Sequence, residues 1–246
     1  MNIITIVLTC GIAITLSSKI NRETDIPEQV QSDTVYFDKG RTLNFLIGIV
    51  KSEAMEARGN YFNAVFPIAS KYQYDLGVAF NVIEPTRGNY HPGFVAISSW
   101  PNPANRDKFL KDPGIPKDLA DQRRAIWSRF DQVLYRDIES ALSFVVREDK
   151  VYLFSNFWIE DQRLFEKYMG IFQGEMENNQ GVYLASLEGG SSPKNHMYEP
   201  DLMVISEWPN PEAVKNYLLK IQRISPQDGT KNINEFVTSF VFGFGS

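Results

Sequence analysis

Sulfur and imidazole are scarce in this chain of 246 residues. It carries one cysteine, Cys10, and two histidines, His91 and His196. A lone cysteine makes no intrachain disulfide and no thiolate metal site, and two histidines leave multi-histidine centres out of reach. Basic residues are also in the minority. Lys and Arg number 25 against 30 Asp and Glu, a net charge of −5, which argues against a nucleic-acid partner held by a basic surface. No phosphate-binding glycine loop, no Gly-x-Ser-x-Gly elbow and no metalloprotease helix occurs in the sequence. These absences lead us to expect no metal and no cofactor.

Long apolar runs are missing too. The longest, residues 3–16, falls short of the roughly 20 residues that span a bilayer. It fits the apolar region of a secretory signal, and Thr15-Leu16-Ser17 places small residues at cleavage positions. Against this, no Lys or Arg precedes the run, and Thr9 before Cys10 suits a lipoprotein box poorly. A buried β-branched strand is the other reading. The expected layout is a signal peptide over residues 1–18, a polar linker over 19–41 with room for a short ordered piece at Val35-Tyr36-Phe37, and a periplasmic or secreted protein. The membrane is met only through the N-terminal segment if that segment stays uncleaved.

What the chain has in quantity is a repeated phrase. Tyr90-His91-Pro92-Gly93-Phe94-Val95-Ala96-Ile97-Ser98-Ser99-Trp100-Pro101-Asn102-Pro103 returns as Tyr198-Glu199-Pro200-Asp201-Leu202-Met203-Val204-Ile205-Ser206-Glu207-Trp208-Pro209-Asn210-Pro211. With Trp100 set on Trp208, eight of fourteen positions are identical without a gap. Chance matching at about one in twenty gives fewer than one, so the chain reads as a tandem duplicate. Each copy has one physical grammar. A Tyr-x-Pro turn enters an apolar strand. Pro101 or Pro209 lacks the N–H to continue it. Asn102 or Asn210 then caps a helix whose first turn holds Pro103 or Pro211.

Around the first copy, residues 42–51 read as a buried strand and 53–72 as a helix capped by Ser52, with Pro67 bending it. A second strand is expected over 76–83, an added helix over 118–134 from the spacing of Leu119, Ile126, Phe130 and Val133, and a last strand over 140–146. The second half repeats the order at the same offset. A strand spans 150–159, a helix capped by Asp161 runs to 178, another strand spans 182–187, and the last covers 236–242. Both halves, 42–148 and 149–246, follow β-α-β-β-α-β, the ferredoxin-like pattern. Their first strands are apolar on both faces. Phe45, Ile47 and Ile49 oppose Leu46 and Val50; Tyr152, Phe154 and Trp158 oppose Leu153 and Phe157. Such strands need cover on both sides, and the simplest cover is the other half's sheet. The fold class expected is α+β, two tandem ferredoxin-like repeats forming an intrachain barrel.

Three stretches carry a family resemblance: Phe157-Trp158-Ile159-Glu160-Asp161, Phe165-Glu166-Lys167-Tyr168, and residues 202–213 with their Ile-Ser-Glu-Trp-Pro-Asn-Pro core. They resemble the dimeric α+β barrel superfamily, above all its small members whose third strand ends in an Ile-Glu-aromatic-Pro phrase. The second half resembles them over nearly its whole length and the first half more loosely. The resemblance implies paired ferredoxin-like units, here in one chain, and a range of activities that includes cofactor-independent oxygenases, haem enzymes and simple binding modules. The haem branches need an axial histidine on a helix. Neither His91 nor His196 falls on an expected helix, so haem is disfavoured.

The candidate site residues are therefore few. His91 and Glu207 are the ionisable groups offered as catalytic bases. Ser99 and Glu207 are paired by the repeat, as are His91 and Glu199. Asn44 and Asn156, polar residues inside apolar strands, could hold a ligand oxygen or only satisfy backbone. Tyr90, Tyr198, Trp100 and Trp208 read either as walls of a ligand pocket or as core anchors. His196 is a lone loop histidine. Arg123, Arg124 and Arg129 read as a solvated helix face. The function expected is an exported protein that binds a small aromatic or apolar molecule between sheet and helices. Its catalytic form would be a cofactor-independent oxygenase or isomerase; the rival is a non-catalytic binding or assembly module. The oligomeric state is not readable from the sequence.

Overall fold

The computed structural model describes residues 30–193, 196–224 and 229–241. The apolar run at 3–16, Cys10 and Phe242 lie outside the described residues. The chain enters through β1 (Ser32–Phe37). The first unit follows: β2 (Thr42–Val50), α1 (Met55–Ser70), β3 (Asp75–Arg87), β4 (Phe94–Trp100), α2 (Pro103–Leu110), α3 (Leu119–Ile126) and β5 (Trp127–Tyr135). After β6 (Leu142–Arg147) comes the second unit. It comprises β7 (Val151–Ile159), α4 (Gln162–Asn178), β8 (Val182–Glu188), β9 (Leu202–Trp208), α5 (Pro211–Ile224) and β10 (Thr230–Val241).

Each unit orders its strands fourth, first, third, second, giving β5-β2-β4-β3 and β10-β7-β9-β8. All pairs are antiparallel. These are two ferredoxin-like repeats. Along one seam β3 and β10 pair from Val241↔Ala79 to Glu235↔Arg87, joining the units into an eight-stranded sheet. Along the other seam the contact is a single bridge, where the N–H groups of Leu134 and Ser191 donate to each other's carbonyls at 2.7 and 3.0 Å. The sheet curls into the expected barrel. Its lumen is packed with Phe45, Ile47, Phe80, Val95, Ile97 and Val133 from one unit against Tyr152, Phe154, Met203, Ile205 and Phe236 from the other. Phe80 crosses the seam, its ring centroid 5.3 Å from Tyr152 and 5.2 Å from Phe154. Two further cores lie outside, one between each unit's sheet and its helices.

The capping residues act as their types dictate. The Asn102 side chain accepts from Asn105 N–H at 3.0 Å, Asn210 from Ala213 N–H at 2.9 Å and Asp161 from Leu164 N–H at 3.0 Å. Ser52 does not cap α1. Its hydroxyl donates to Glu53, and a short 3-10 turn leads into the helix. Pro67 sits inside α1, which continues to Ser70.

The structure corrects three expectations. The helix expected over 118–134 stops at Ile126, where the backbone of Trp127 turns extended, and β5 takes the rest. Trp127, Phe130, Val133 and Tyr135 are strong strand formers, and Val133 and Tyr135 alternate into the lumen. Phe130 and Val133 thus satisfied a helical spacing by coincidence. In consequence β5, not residues 140–146, is the fourth strand of the first unit. Those residues form β6, which pairs with β1 inside the segment read as linker. This ribbon sends Val35, Phe37, Phe144 and Val146 into the lumen, leaves Tyr36 and Val145 exposed, and spans from β3 to β8 across one barrel end. Finally, the two first strands are offset by 109 rather than 108, because Thr42 pairs with Trp100 but Val151 pairs with Trp208. One residue of slip changes the face of every side chain compared between them.

Candidate functional site

Pairing decides which face each candidate occupies. On β2, Leu43, Phe45 and Ile47 point into the lumen, so Asn44 and Leu46 face the helices. On β4, Val95 and Ile97 face the lumen and Ser98 and Trp100 the helices. Asn44 and Trp100 therefore share the space under α1. Tyr61, Phe62, Val65 and Phe66 of α1 form its roof, and Tyr74, Phe109, Arg123, Phe130 and Gln132 its sides. The free volume is about 50 Å³, room for a few waters or the edge of a ring. Phe62 and Phe66, in its roof, are stacked 4.8 Å apart and half-buried.

The walls are aromatic. Trp100 lies 4.7 Å from Tyr74 and 5.0 Å from Phe109, centroid to centroid. Within this wall two polar atoms are buried without a partner, Asn44 Oδ1 and Trp100 Nε1. Both residues are 3 % exposed. Arg123 Nε donates to the Tyr61 hydroxyl at 2.8 Å, and its guanidinium lies 5.4 Å from the Phe130 ring centre. Burial raises the Tyr61 pKa, and the neighbouring Arg123 charge opposes the rise. Burial also pushes Tyr74 above the ordinary phenol range, outweighing its bond to Ser98. Both phenols are neutral donors at physiological pH.

In the second unit the equivalent region is packed with side chains. Phe157, Phe165, Phe172, Met176 and Tyr217 fill the region under α4. The contrast reduces to one serine in each unit. Ser206 Oγ accepts from Trp208 Nε1 at 2.9 Å and lies a long 3.5 Å from the Leu153 carbonyl. Its counterpart Ser98 donates at 2.8 Å to the Asn44 carbonyl, and the Trp100 indole N–H is left free. The same tryptophan is thus a finished anchor in one unit and an open donor in the other.

The remaining candidates are dispersed. Tyr90 and Tyr198 meet at the barrel end away from the ribbon, above a recess of about 230 Å³. Their hydroxyls are engaged, Tyr90 donating to the Ile47 carbonyl at 3.1 Å and Tyr198 to Asn234 Oδ1 at 2.7 Å. Asn156 faces the lumen there; its amide donates to the Asn234 carbonyl at 3.1 Å, and its Oδ1 is buried without a partner. His91 is exposed beside the Gly88 carbonyl, 3.2 Å away. Glu207 sits at the ribbon end, where Arg147 Nη1 donates to it at 2.8 Å and the Tyr152 hydroxyl at 3.4 Å. Ser99, its partner by repeat, accepts from Arg41 Nε at 2.8 Å. His91 and Glu207 therefore occupy opposite ends of the barrel, and neither lines the cleft. His196, in the β8–β9 loop, is half-buried, its Nδ1 donating to the Phe130 carbonyl at 3.0 Å.

Arg124 is exposed as expected, Arg123 is half-buried, and Arg129, though exposed, lies on β5 rather than on the helix. Arg123 lines the cleft, and Arg129 stacks 3.7 Å from the Tyr90 ring centre while pairing with Asp131 at 2.7 Å. A signal for Arg123 was present: it lies between Leu119 and Ile126 at the i+4 position of their shared helix face. Tyr61, Tyr74 and Gln132 gave no comparable signal. Among the described residues no helix is long and apolar enough to cross a membrane, and no cluster of three His, Cys, Asp or Glu is placed to hold a metal ion.

The sequence matches no family model and no curated protein. The fold is similar to solved structures. One, an anthrone oxidase-like protein, is 9% identical with a TM-score of 0.51, over 84% of this chain and 94% of that one. Another, chlorite dismutase from Candidatus Nitrospira defluvii in complex with imidazole, is 8% identical with a TM-score of 0.51, over 83% and 92%. These likenesses define a class by fold alone: a ferredoxin-like α+β barrel, here with both units in one chain.

Proposed function

We propose that the protein binds a small, planar, partly aromatic molecule in the cleft between α1 and the sheet of the first unit. One observation carries this reading: Asn44 Oδ1 and Trp100 Nε1 are buried, unpartnered and lining the same aromatic wall. Leaving such a donor or acceptor unpaired costs about 1–3 kcal/mol each. A ligand that offers one donor and one acceptor recovers both, while its ring takes the place of water between Trp100, Tyr74 and Phe66. In the second unit the equivalent indole is already satisfied by Ser206.

The donors favour a catalytic version as a second reading, a cofactor-independent oxygenase or isomerase. Trp100 N–H and the Arg123 guanidinium suit an enolate or phenolate oxygen. Among the described residues no Asp, Glu or His lines the cleft, so the substrate would arrive already ionised. Export is also part of the proposal, resting on the apolar run at 3–16 and the polar stretch after it. Native mass spectrometry of the purified chain tests binding. A retained aromatic compound, lost in Asn44→Leu, supports the proposal. Protein that retains nothing and shows no tryptophan fluorescence response to planar aromatic compounds contradicts it.

A further inference from the structure

Two arginines border the cleft without an ion-pair partner among the described residues. Arg123 lines it from α3, and its only polar contact among the described residues is the neutral Tyr61 hydroxyl. Arg106, on α2, is half-buried and donates at 3.1 Å to Gln132 Oε1, which also lines the cleft. Neither forms an ion pair with any described carboxylate, although Arg129 and Arg147 both do. Burial is the largest influence on Arg106 and lowers its pKa; the charge of Asp107 opposes this, and those of Arg123 and Arg136 add to it. A partly desolvated cation without a direct ion pair is an unfavourable arrangement in a folded protein. The second unit avoids it: Val214, fully buried, occupies the position equivalent to Arg106.

Resting on the binding reading above, we propose that the ligand is an anion, a hydroxylated aromatic carboxylate. Its carboxylate faces Arg123, with Arg106 reinforcing the positive field through Gln132. The hydroxyl donates to Asn44 Oδ1, and Trp100 N–H supplies a further donor. The ring stacks on the Tyr74 and Trp100 wall. The acceptor and the indole donor are atoms that otherwise have no partner, and the charge comes from a guanidinium without an ion pair.

The test is a titration of the full chain with para-hydroxybenzoate and with its uncharged amide, para-hydroxybenzamide, followed by calorimetry. The acid binds at least about tenfold more tightly than the amide, as a charge-assisted contact to guanidinium requires. Arg123→Gln brings the two affinities together, and Arg123→Lys, which keeps the charge and guards against a folding defect, retains a preference for the acid. Rising salt weakens the acid and spares the amide. Equal affinities in the unsubstituted protein, or tighter binding of the amide, overturn the anion while the binding reading survives. Failure to bind either probe also overturns the anion; failure of the binding reading is diagnosed separately, by native protein that retains no compound.

Discussion

The rings of Tyr90 and Tyr198, 108 positions apart in the chain, meet edge to face with centroids 5.3 Å apart. The two units thus present the same residue to each other at one barrel end. Asn234 ties the pair together: its Oδ1 accepts from Tyr198 at 2.7 Å and its Nδ2 donates to the Tyr90 carbonyl at 2.8 Å. Tyr198→Phe deletes the first bond and strands a buried acceptor. Stability falls by about 1–3 kcal/mol, read as a lower denaturation midpoint with an unchanged slope.

The ribbon end is held by packing. A Cβ on Gly77 would strike the Phe37 ring and approach the Ile97 carbonyl to 3.0 Å. Gly77→Val therefore displaces Phe37 and costs about 1–3 kcal/mol. Hydrogen exchange reports the order of events: amides of β1 and β6 lose protection before those of β2 or β7.

Glu207 is a structural carboxylate in this account. Only 9% of its side chain is exposed, against 44% for its partner Arg147. Glu207→Ala lowers stability by about 1–2 kcal/mol, discounted for that solvent access. It leaves ligand affinity unchanged, as does His91→Ala. A tenfold loss of affinity in either variant would return these residues to the site.

His196 gives the chain a pH dependence of known sign. Burial, helped by the charges of Arg123 and Arg106, lowers its pKa below the ordinary 6.5, against the opposing pull of the Phe130 carbonyl and Asp131. The unfolded chain therefore binds the proton more readily than the folded one. Stability is full above the unfolded value and declines as pH drops from about 7.5 to about 5.5. His196→Gln removes the part of the decline that His196 causes, seen as a smaller difference between denaturation midpoints at the two pH values.

Much of this was legible in the sequence because the repeated phrase bundles a strand, its stop and a helix cap into one stretch. The strands ending at Trp100 and Trp208 and the caps at Asn102, Asn210 and Asp161 follow from local chemistry alone. What depended on tertiary pairing was hidden. Val133 and Tyr135 become strand residues because β2 and the lumen receive them. The ordered piece at Val35-Tyr36-Phe37 was legible, but its extension back to Ser32 as a strand depends on β6 lying beside it. At the site, Asn44 and Trp100 were visible as candidates, but Asn44 could not be placed under α1 until packing showed which face of β2 meets the lumen. Arg123 was obscured because a charge on a short helix is usually solvated, and only packing against Tyr61 and Phe130 turns it inward.

The claim on which the account rests is that Trp100 is an open donor and Trp208 a satisfied anchor. The most direct measurement is the affinity of Trp100→Phe and Trp208→Phe for para-hydroxybenzoate, side by side. Trp100→Phe should weaken binding by about tenfold, the worth of one buried hydrogen bond, with Trp208→Phe binding as the unsubstituted protein does. Equal losses in both variants, or a loss confined to Trp208→Phe, would contradict it.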